Sequence, residues 1–462
     1  MLPFRAMKAL SPALVLAAAL SAAAADVDFS DAVLFKDDAA AALTADTINS
    51  WAALAGKVKF TFQGEDRDRA VWLGGNRDRS RSDVRAFDFP VYEAQVAFKP
   101  DGGSLAQLEL VLFSRGDVMM SGGGRTPLAA RVSAAVQDDK AFRGLFEELK
   151  GKIVAAFGQP VDPRPRNTSR VDNHDQRQYR WKAPSGFVLL SVGLTKEKNA
   201  FRGEYIRVAV RPGAADDAAR SLAAMTGPRP VAGANEAKVT ASRADLTANV
   251  KREADGLVYV DGIPMVDQGD KGYCAVATME RLIRYYGGTT SQHELAQLFD
   301  SDAKGGTSFR VDPRTGRPIE FVAPEICRQF GFSQKVVDFD KPAPEKLMKA
   351  YNKRAAAKLE WDRKMRDDDI EKLLARADKA TLQAVVADEG ACKRFIPKVK
   401  SFVDKGVPLV WMIPGHIRLL IGYNEKTGEI AYSDTWGKGH ELKKMPLAEA
   451  FLMTQALIVV RP

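Results

Sequence analysis

Cysteine and histidine are scarce in this chain, which has three cysteines and four histidines among 462 residues. None of them lies at a spacing typical of metal ligands, and the glycine-rich stretch at 305–310 lacks the lysine and helix of a phosphate-binding loop. We therefore expect neither a metal nor another cofactor. An odd number of cysteines also means that at least one thiol lies outside any disulfide.

Beyond its N-terminus, the chain lacks any apolar run long enough to cross a membrane. Residues 1–25 have the pattern of a secretory signal peptide: two basic residues, an apolar run at 13–20, and small residues before a cleavage point at Asp26. This pattern predicts export to the periplasm or to the outside of the cell. We expect no stable membrane insertion of the mature protein.

Clusters of basic residues interleaved with aromatics are also lacking. The chain has 68 lysines and arginines against 59 aspartates and glutamates, which gives a net charge of +9. Because this excess is spread along the chain, it argues against a nucleic-acid partner. Contact with anionic polymers of the cell envelope is compatible with the excess, although the attraction is not specific.

Residues 26–225 predict an α+β domain in which helices accompany an antiparallel sheet. Residues 26–56 are alanine-rich and predict helix, whereas 63–88 predict a loop or an edge hairpin. A proline–glycine turn at 100–103 predicts that the strands on either side form a hairpin. The predicted strands are 57–62, 91–99, 105–114, 179–182, 187–194 and 205–210, and the main predicted helix is 142–156.

Residues 226–255 predict a linker, since they are rich in proline, glycine, alanine and charge, with one helical turn near Leu246. The second domain is predicted to span 256–462 and to begin with a strand at 257–260. The first domain contains a single histidine, His174, in a polar stretch that predicts a surface residue without a catalytic role.

Cys274 begins a pattern of apolar residues at helical spacing. The pattern predicts a helix over 274–286 that two glycines end. A thiol at a helix N-terminus lies near unpaired N–H groups and the positive end of the dipole, and both favour the nucleophilic thiolate form. Because a lone cysteine is more often a small buried apolar residue, the prediction of a nucleophile depends on other residues.

Three polar residues complete the prediction. Gln268 lies six residues before Cys274, where its side chain can donate to a developing oxyanion beside the backbone N–H of the cysteine. His416 begins a predicted strand in W-M-I-P-G-H, and Asp434 ends another in Y-S-D-T-W-G. A nucleophile, a base and an orienting acid are the parts of a hydrolytic triad.

As a set, these residues resemble the papain-like cysteine peptidases: a glutamine before a cysteine at a helix start, a glycine–histidine at a strand start, and an acid followed by x-W-G. The stretch D-T-W-G at 434–437 is similar to the N-S-W-G of plant papains. The stretch P-M-V-D-Q-G-D-K-G-Y-C-A-V-A at 264–277 more closely resembles the bacteriocin leader-peptidase-like branch, or double-glycine peptidases, which uses aspartate. The resemblance covers residues 256–462.

The resemblance implies a papain-like peptidase domain and an exported thiol protease that hydrolyses peptide bonds in a peptide or protein substrate. Cys274 is then the nucleophile, His416 the base, Asp434 its orienting partner and Gln268 the oxyanion donor. Two other functions stay open: another thiol acyl-transfer enzyme, such as a cell-wall amidase or transglutaminase, and a non-catalytic binding module on a peptidase fold. The role of residues 26–225 is not decided by the sequence.

Other residues in the second domain carry predictions of their own. His293, in a helix-capping box, and His440, in a charged stretch, are predicted to be surface residues. Residues 343–378 are highly charged and predict a long helix or helical hairpin, inserted into the peptidase domain as a solvated arm rather than as a partner-binding helix. Cys327 and Cys392 either form a disulfide or remain buried free thiols.

The predicted contact between His416 and Asp434 has a geometric problem. Their strands flank a turn at 424–428, and a simple register about that turn places Asp434 near residue 419 or 420. A bulge, a longer turn or the reach of the aspartate side chain must therefore bring the acid to the base.

Overall fold

The structure is a computed structural model of the chain. It describes residues 27–36, 42–54, 56–64, 67–74, 84–99, 103–121, 127–169, 171–198, 200–213, 243–301, 303–312, 318–337, 341–362 and 364–462. The predicted signal peptide and the first part of the predicted linker lie outside these residues. The described part is a mixed α+β structure with three sheets.

The N-terminal half is built on an antiparallel sheet. Its strands are β1 (Val27–Asp28), β2 (Thr61–Phe62), β3 (Arg69–Leu73), β4 (Val84–Ala86), β5 (Phe89–Pro90), β6 (Glu93–Phe98), β7 (Leu105–Ser114), β8 (His174–Ala183), β9 (Gly186–Glu197) and β10 (Ala200–Pro212). Its helices are α1 (Ser30–Val33), α2 (Arg115–Ser121), α3 (Pro127–Ala134) and α4 (Asp139–Phe157). Seven strands form one sheet in the order β2-β3-β6-β7-β10-β9-β8, and β1, β4 and β5 form a small second sheet.

Helix α4 packs on the large sheet through one apolar face. The buried residues of that face are Phe142, Leu145, Phe146, Leu149 and Ile153. The Asp138 side chain caps its first turn by accepting the backbone N–H of Lys140 at 2.9 Å, and the helix ends at Gly158. The predicted helix and the β6–β7 hairpin are therefore confirmed, and the last three predicted strands lie within β8, β9 and β10.

One prediction for the N-terminal half is wrong, and another is confirmed only in part. The described residues of 26–56 form β1, α1 and two 3₁₀ turns, Ile48–Ser50 and Ala52–Leu54, rather than a long helix. Their apolar side chains, such as Trp51, are buried in the core, and this burial outweighs the helix propensity of the alanines, which is high per residue but easily overridden by tertiary contacts. The stretch 63–88 is predicted as a loop or an edge hairpin; its described residues contain β3, which pairs with the edge strand β2 and also with β6.

The C-terminal half contains a second large sheet and its own apolar core. Its strands are β11 (Val250–Arg252), β12 (Leu257–Val260), β13 (Ser333–Val337), β14 (Leu409–Ile413), β15 (His416–Asn424), β16 (Glu429–Ser433), β17 (Lys443–Pro446) and β18 (Ala456–Arg461). The path is β11-β12-β15-β14-β18-β13, and β16 pairs with both β15 and β17. All of these pairs are antiparallel.

Nine helices pack around this sheet in the described chain. They are α5 (Arg243–Ala248), α6 (Cys274–Tyr285), α7 (Gln292–Leu298), α8 (Pro324–Phe330), α9 (Pro344–Ala355), α10 (Asp367–Leu374), α11 (Lys379–Ala387), α12 (Gly390–Val403) and α13 (Leu447–Met453). Helix α5 is the helical turn predicted near Leu246, and α6 is the helix predicted to begin at Cys274. The predicted linker extends too far, because β11 already pairs with β12.

The predicted insertion at 343–378 consists of two helices, α9 and α10, joined by irregular chain. It is not a solvated arm, because both helices bury an apolar face in the core. The buried residues are Leu347, Met348, Tyr351, Ile370, Leu373 and Leu374. The apolar stripe is only partial in the sequence because it belongs to two short helices, each with its own face.

Among the described residues, no helix combines the length and the apolarity that crossing a membrane requires.

Candidate active site

Cys274 is the first residue of α6, and its side chain is partly exposed. The residues that follow it in α6 are buried on nearly every side. Because the helix is anchored in the core, Cys274 is held at a fixed point where the first N–H groups of the helix lack intrahelical partners. These groups and the helix dipole favour negative charge on the sulfur.

His416 and Asp434 meet through an irregularity in the β15–β16 pair. The pairing shifts by one residue between Leu420 and Gly422. Continued by one residue, the shifted register places Asp434 opposite Arg418, on the same sheet face as His416. Without the shift, Asp434 would lie on the other face. The bulge thus closes the geometric gap, and Nε2 of His416 lies 2.6 Å from Oδ1 of Asp434.

The charges around His416 favour its protonated form. Burial alone would lower the pKa of the ring, but hydrogen bonds and charges from Asp434 and Cys274 outweigh burial and raise the pKa of His416 to about 10. Burial would raise the pKa of Asp434, but the bond from His416 and the charges of His416 and Arg418 hold it below its usual value. Nε2 of His416 thus faces Asp434, and the charge of Cys274 acts on the same ring.

Trp436 covers the imidazole. Its ring stacks on that of His416 with centroids 5.7 Å apart and planes 26° apart. The indole is 37% exposed, so it is not a core aromatic residue, and it shields one face of His416 from water. His440, the competing base in the sequence, is partly exposed and contributes its backbone carbonyl, which accepts the N–H of Asp434 at 2.9 Å.

Gln268 lies in the loop before α6 and is tied to the residue that follows Asp434. Its backbone N–H donates to the carbonyl of Thr435 at 2.9 Å, and the Thr435 hydroxyl donates to its side-chain oxygen at 2.5 Å. Its side-chain nitrogen donates to the carbonyl of Lys271 at 3.3 Å. These bonds fix the side chain of Gln268 and turn its amide nitrogen towards the loop that leads into Cys274.

Arg281 connects the loop before Cys274 with the residues around Asp434, a role that the sequence did not predict. Its guanidinium is buried and donates to the carbonyls of Pro264 and Asp434, at 2.9 and 2.8 Å, and to the hydroxyl of Ser433 at 2.5 Å. Burial lowers the pKa of Arg281 to about 10. The sequence does place Arg281 two helical turns after Cys274, on the same side of α6, and this position could have indicated a role at the site.

Arg418 is a second functional residue that the sequence analysis missed. Its Nε lies 2.7 Å from Oδ2 of Asp434, the oxygen that His416 does not use. Both of its terminal nitrogens lie 3.1 Å from Glu371 in α10, and one lies 3.5 Å from Asp367. Arg418 therefore connects the acid of the site to the inserted helix.

The insertion also reaches the residue before His416. Arg366, which precedes α10, donates to the carbonyl of Gly415 at 3.2 Å. Gly415 has a φ of +78°, and a Cβ there would lie 2.9 Å from Nε of Arg366. Glycine is thus required both by the backbone conformation and by the close approach of the arginine.

Two histidines predicted at the surface are buried instead. His293 in α7 is 2% exposed, and its Nε2 lies 3.1 Å from Glu93 of the N-terminal half. His174 is 7% exposed, and burial lowers its pKa. Both predictions fail because the two halves of the chain pack against each other at these positions.

The remaining cysteines differ from Cys274. Cys327 and Cys392 are free thiols, so the structure follows the second of the two alternatives that the sequence left open. Both are buried, and burial raises the pKa of each to about 11. Cys274 is the partly exposed cysteine of the three.

No family model, no curated protein and no solved structure matches this chain. The resemblance to papain-like peptidases therefore depends on the motif residues and on the geometry that they adopt.

Proposed function

We propose that this chain is an exported thiol peptidase with a papain-like catalytic domain over residues 256–462. The observation that carries the proposal is a histidine held at 2.6 Å by an aspartate, with a cysteine at a helix N-terminus close enough to raise the pKa of that histidine. The bacteriocin leader-peptidase-like branch remains the family that the motif residues resemble. The substrate is a peptide or protein.

The proposed reaction begins with attack of the Cys274 sulfur on a peptide carbonyl. The C–N bond then breaks as the imidazolium of His416 donates a proton to the leaving amine. Water next attacks the thioester as His416 accepts its proton, and the C–S bond then breaks, which releases the carboxylic acid product and restores the thiolate of Cys274 beside the imidazolium. Asp434 orients the ring and stabilises its charged form throughout.

The oxyanion of each tetrahedral intermediate needs two donors. In this proposal they are the backbone N–H of Cys274 and the side-chain amide of Gln268, each contributing on the order of 3 kcal/mol of transition-state stabilisation. The bonds of Gln268 to Thr435 and Lys271 support the role, because they fix the amide before the substrate arrives.

The test compares hydrolysis of a peptide library by the wild type, Cys274→Ala and Cys392→Ala. We expect cleavage to disappear in Cys274→Ala and to persist in Cys392→Ala, the control for loss of a thiol. Mass spectrometry of the products separates hydrolysis from amide crosslinking by a transglutaminase. Equal turnover by the wild type and Cys274→Ala would disprove the proposed function.

A second measurement separates an enzyme from a binding module. We expect iodoacetamide to label Cys274 in the native protein faster than Cys327 or Cys392, because His416 and the helix N-terminus favour its thiolate. Equal labelling of all three cysteines contradicts an activated nucleophile.

A further inference from the structure

The loop that carries Gln268 into Cys274 is packed against the N-terminal half. Lys271, in the middle of this loop, is 2% exposed. Its ammonium lies 2.9 and 3.0 Å from the two oxygens of Asp117, in α2, and 3.4 Å from Glu93, in β6. A lysine of the catalytic loop is thus bonded to two buried acids that lie more than 150 residues away in the chain.

The residue before the nucleophile is held by the same half. Tyr273 is 3% exposed, and its hydroxyl lies against Gly116 of α2. A Cβ on Gly116 would lie 2.5 Å from that hydroxyl oxygen, so only glycine allows this approach. The N-terminal half therefore fixes the loop at Lys271 and at Tyr273, the residue next to Cys274.

The two acids of this cluster keep Lys271 charged. Burial would lower the pKa of Lys271, but Asp117 and Glu93 outweigh burial and raise it, so the ammonium stays charged. Glu93 also accepts a hydrogen bond from His293. Asp117, Glu93 and His293 have the side chains of a metal site, but the ammonium of Lys271 already binds both carboxylates there.

We propose that Lys271 is a positioning residue: its ion pair with Asp117 and Glu93 holds the loop between Gln268 and Cys274, so that the N-terminal half is a permanent support of the active site rather than a removable prosegment. The proposal rests on the proposed function, because it concerns the same nucleophile and oxyanion donor. A small displacement of this loop moves both groups at once, and displacements of this size lower turnover strongly.

The experiment uses the full chain and separates positioning from stability. Lys271→Met leaves two acids buried without their cation, so we expect a loss of stability together with a fall in kcat of roughly 10- to 100-fold. Lys271→Met combined with Asp117→Leu replaces the closer ion pair by apolar groups and leaves Glu93 with its hydrogen bond to His293. We expect this double variant to recover part of the lost melting temperature while its kcat and its rate of Cys274 alkylation stay low.

The matched control is Arg207→Met. Arg207 is buried at the same contact between the halves and pairs with Glu109 and Glu294, but it does not touch the catalytic loop. We expect this variant to lose stability while keeping kcat and alkylation per folded molecule. Asp117→Asn, which retains an oxygen for the ammonium, provides a milder variant in which kcat should fall to a smaller extent.

Wild-type kcat and alkylation in the folded double variant, or in Asp117→Asn, would overturn the inference. Failure of the proposed function has a different signature: the wild type itself shows no cleavage, and its Cys274 reacts no faster than the buried cysteines. A change in KM with kcat preserved also contradicts a positioning role, because the loop is proposed to act on the transition state.

Discussion

Asp434 is shared between two cations. One carboxylate oxygen lies 2.6 Å from His416, and the other lies 2.7 Å from Arg418. Because each oxygen has its own charged partner, the carboxylate cannot rotate without losing one of them. The orientation of the acid, and through it that of the imidazole, is therefore set before substrate binds.

The raised pKa of His416 predicts the alkaline limb of the pH profile. Since the proposed reaction needs the imidazolium to protonate the leaving amine, kcat/KM should fall as pH rises through about 10. Asp434→Asn removes the charge that stabilises the imidazolium, so the limb should move to lower pH. Steady-state rates across the alkaline pH range measure the position of this limb. An unmoved limb in Asp434→Asn contradicts the role given to the Asp434 carboxylate.

The same shift makes stability depend on pH. The folded pKa of His416 lies above its usual value of 6.5, so the folded state favours the proton. The contribution of this group to the free energy of unfolding is complete below pH 6.5 and is lost as pH rises towards 10. Comparing urea unfolding of the wild type and His416→Gln should show a difference that shrinks at alkaline pH.

Removal of Arg418 tests the orientation of the acid. In Arg418→Met, one oxygen of Asp434 loses its cation, and we expect kcat to fall roughly tenfold through misorientation of the His416 ring. Arg354→Met is the control, because Arg354, in α9, pairs with Asp388 at the surface. An unchanged kcat in Arg418→Met, measured on folded protein, argues against this role.

At the scale of elements, α10 has two faces with different tasks. Its apolar face, which includes Ile370 and Leu373, packs into the core, and its acidic face binds Arg418. The sequence reveals the charge but not the task, because a partner for Glu371 lies 47 residues away on β15. On its charge alone, the segment 343–378 is predicted to be an arm exposed to solvent.

The packing of α10 predicts a clear effect on stability. Leu373→Ala should lower the free energy of unfolding by about 2–5 kcal/mol, because it leaves a cavity in the core. The neighbouring exposed residue provides the control, since Lys372→Ala should change stability by no more than about 0.5 kcal/mol. Urea denaturation measures both, and equal effects would mean that α10 does not pack as described.

At the scale of the whole molecule, the sequence predicts what depends on neighbouring residues. The helical spacing of apolar residues after Cys274 correctly predicts α6, and the proline–glycine turn correctly predicts the β6–β7 hairpin. The contact between the halves was not predictable, because its polar residues look like surface residues in isolation. The acidic partners of Lys271 and His293 lie 154 and 200 residues away in the chain, so no local sequence pattern predicts these two pairs.

The buried contact predicts that the two halves stay together without a covalent link. A specific protease site introduced between residues 226 and 242 allows the purified chain to be cut there. We expect the two pieces to coelute in size-exclusion chromatography and to retain turnover, because ion pairs such as Arg207–Glu294 join them, along with the Gln176–Gln297 hydrogen bond. Separation of the pieces under native conditions contradicts a permanent support.

The ammonium bound by Asp117 and Glu93 also has a consequence for descent. A substitution at Lys271 alone leaves two buried negative charges without a cation. Selection should remove such a substitution unless a second change follows in the other half of the gene. In any lineage that keeps this fold, positions 117 and 271 are expected to vary together or not at all. The first half of the gene would then be as constrained as the half that carries the nucleophile.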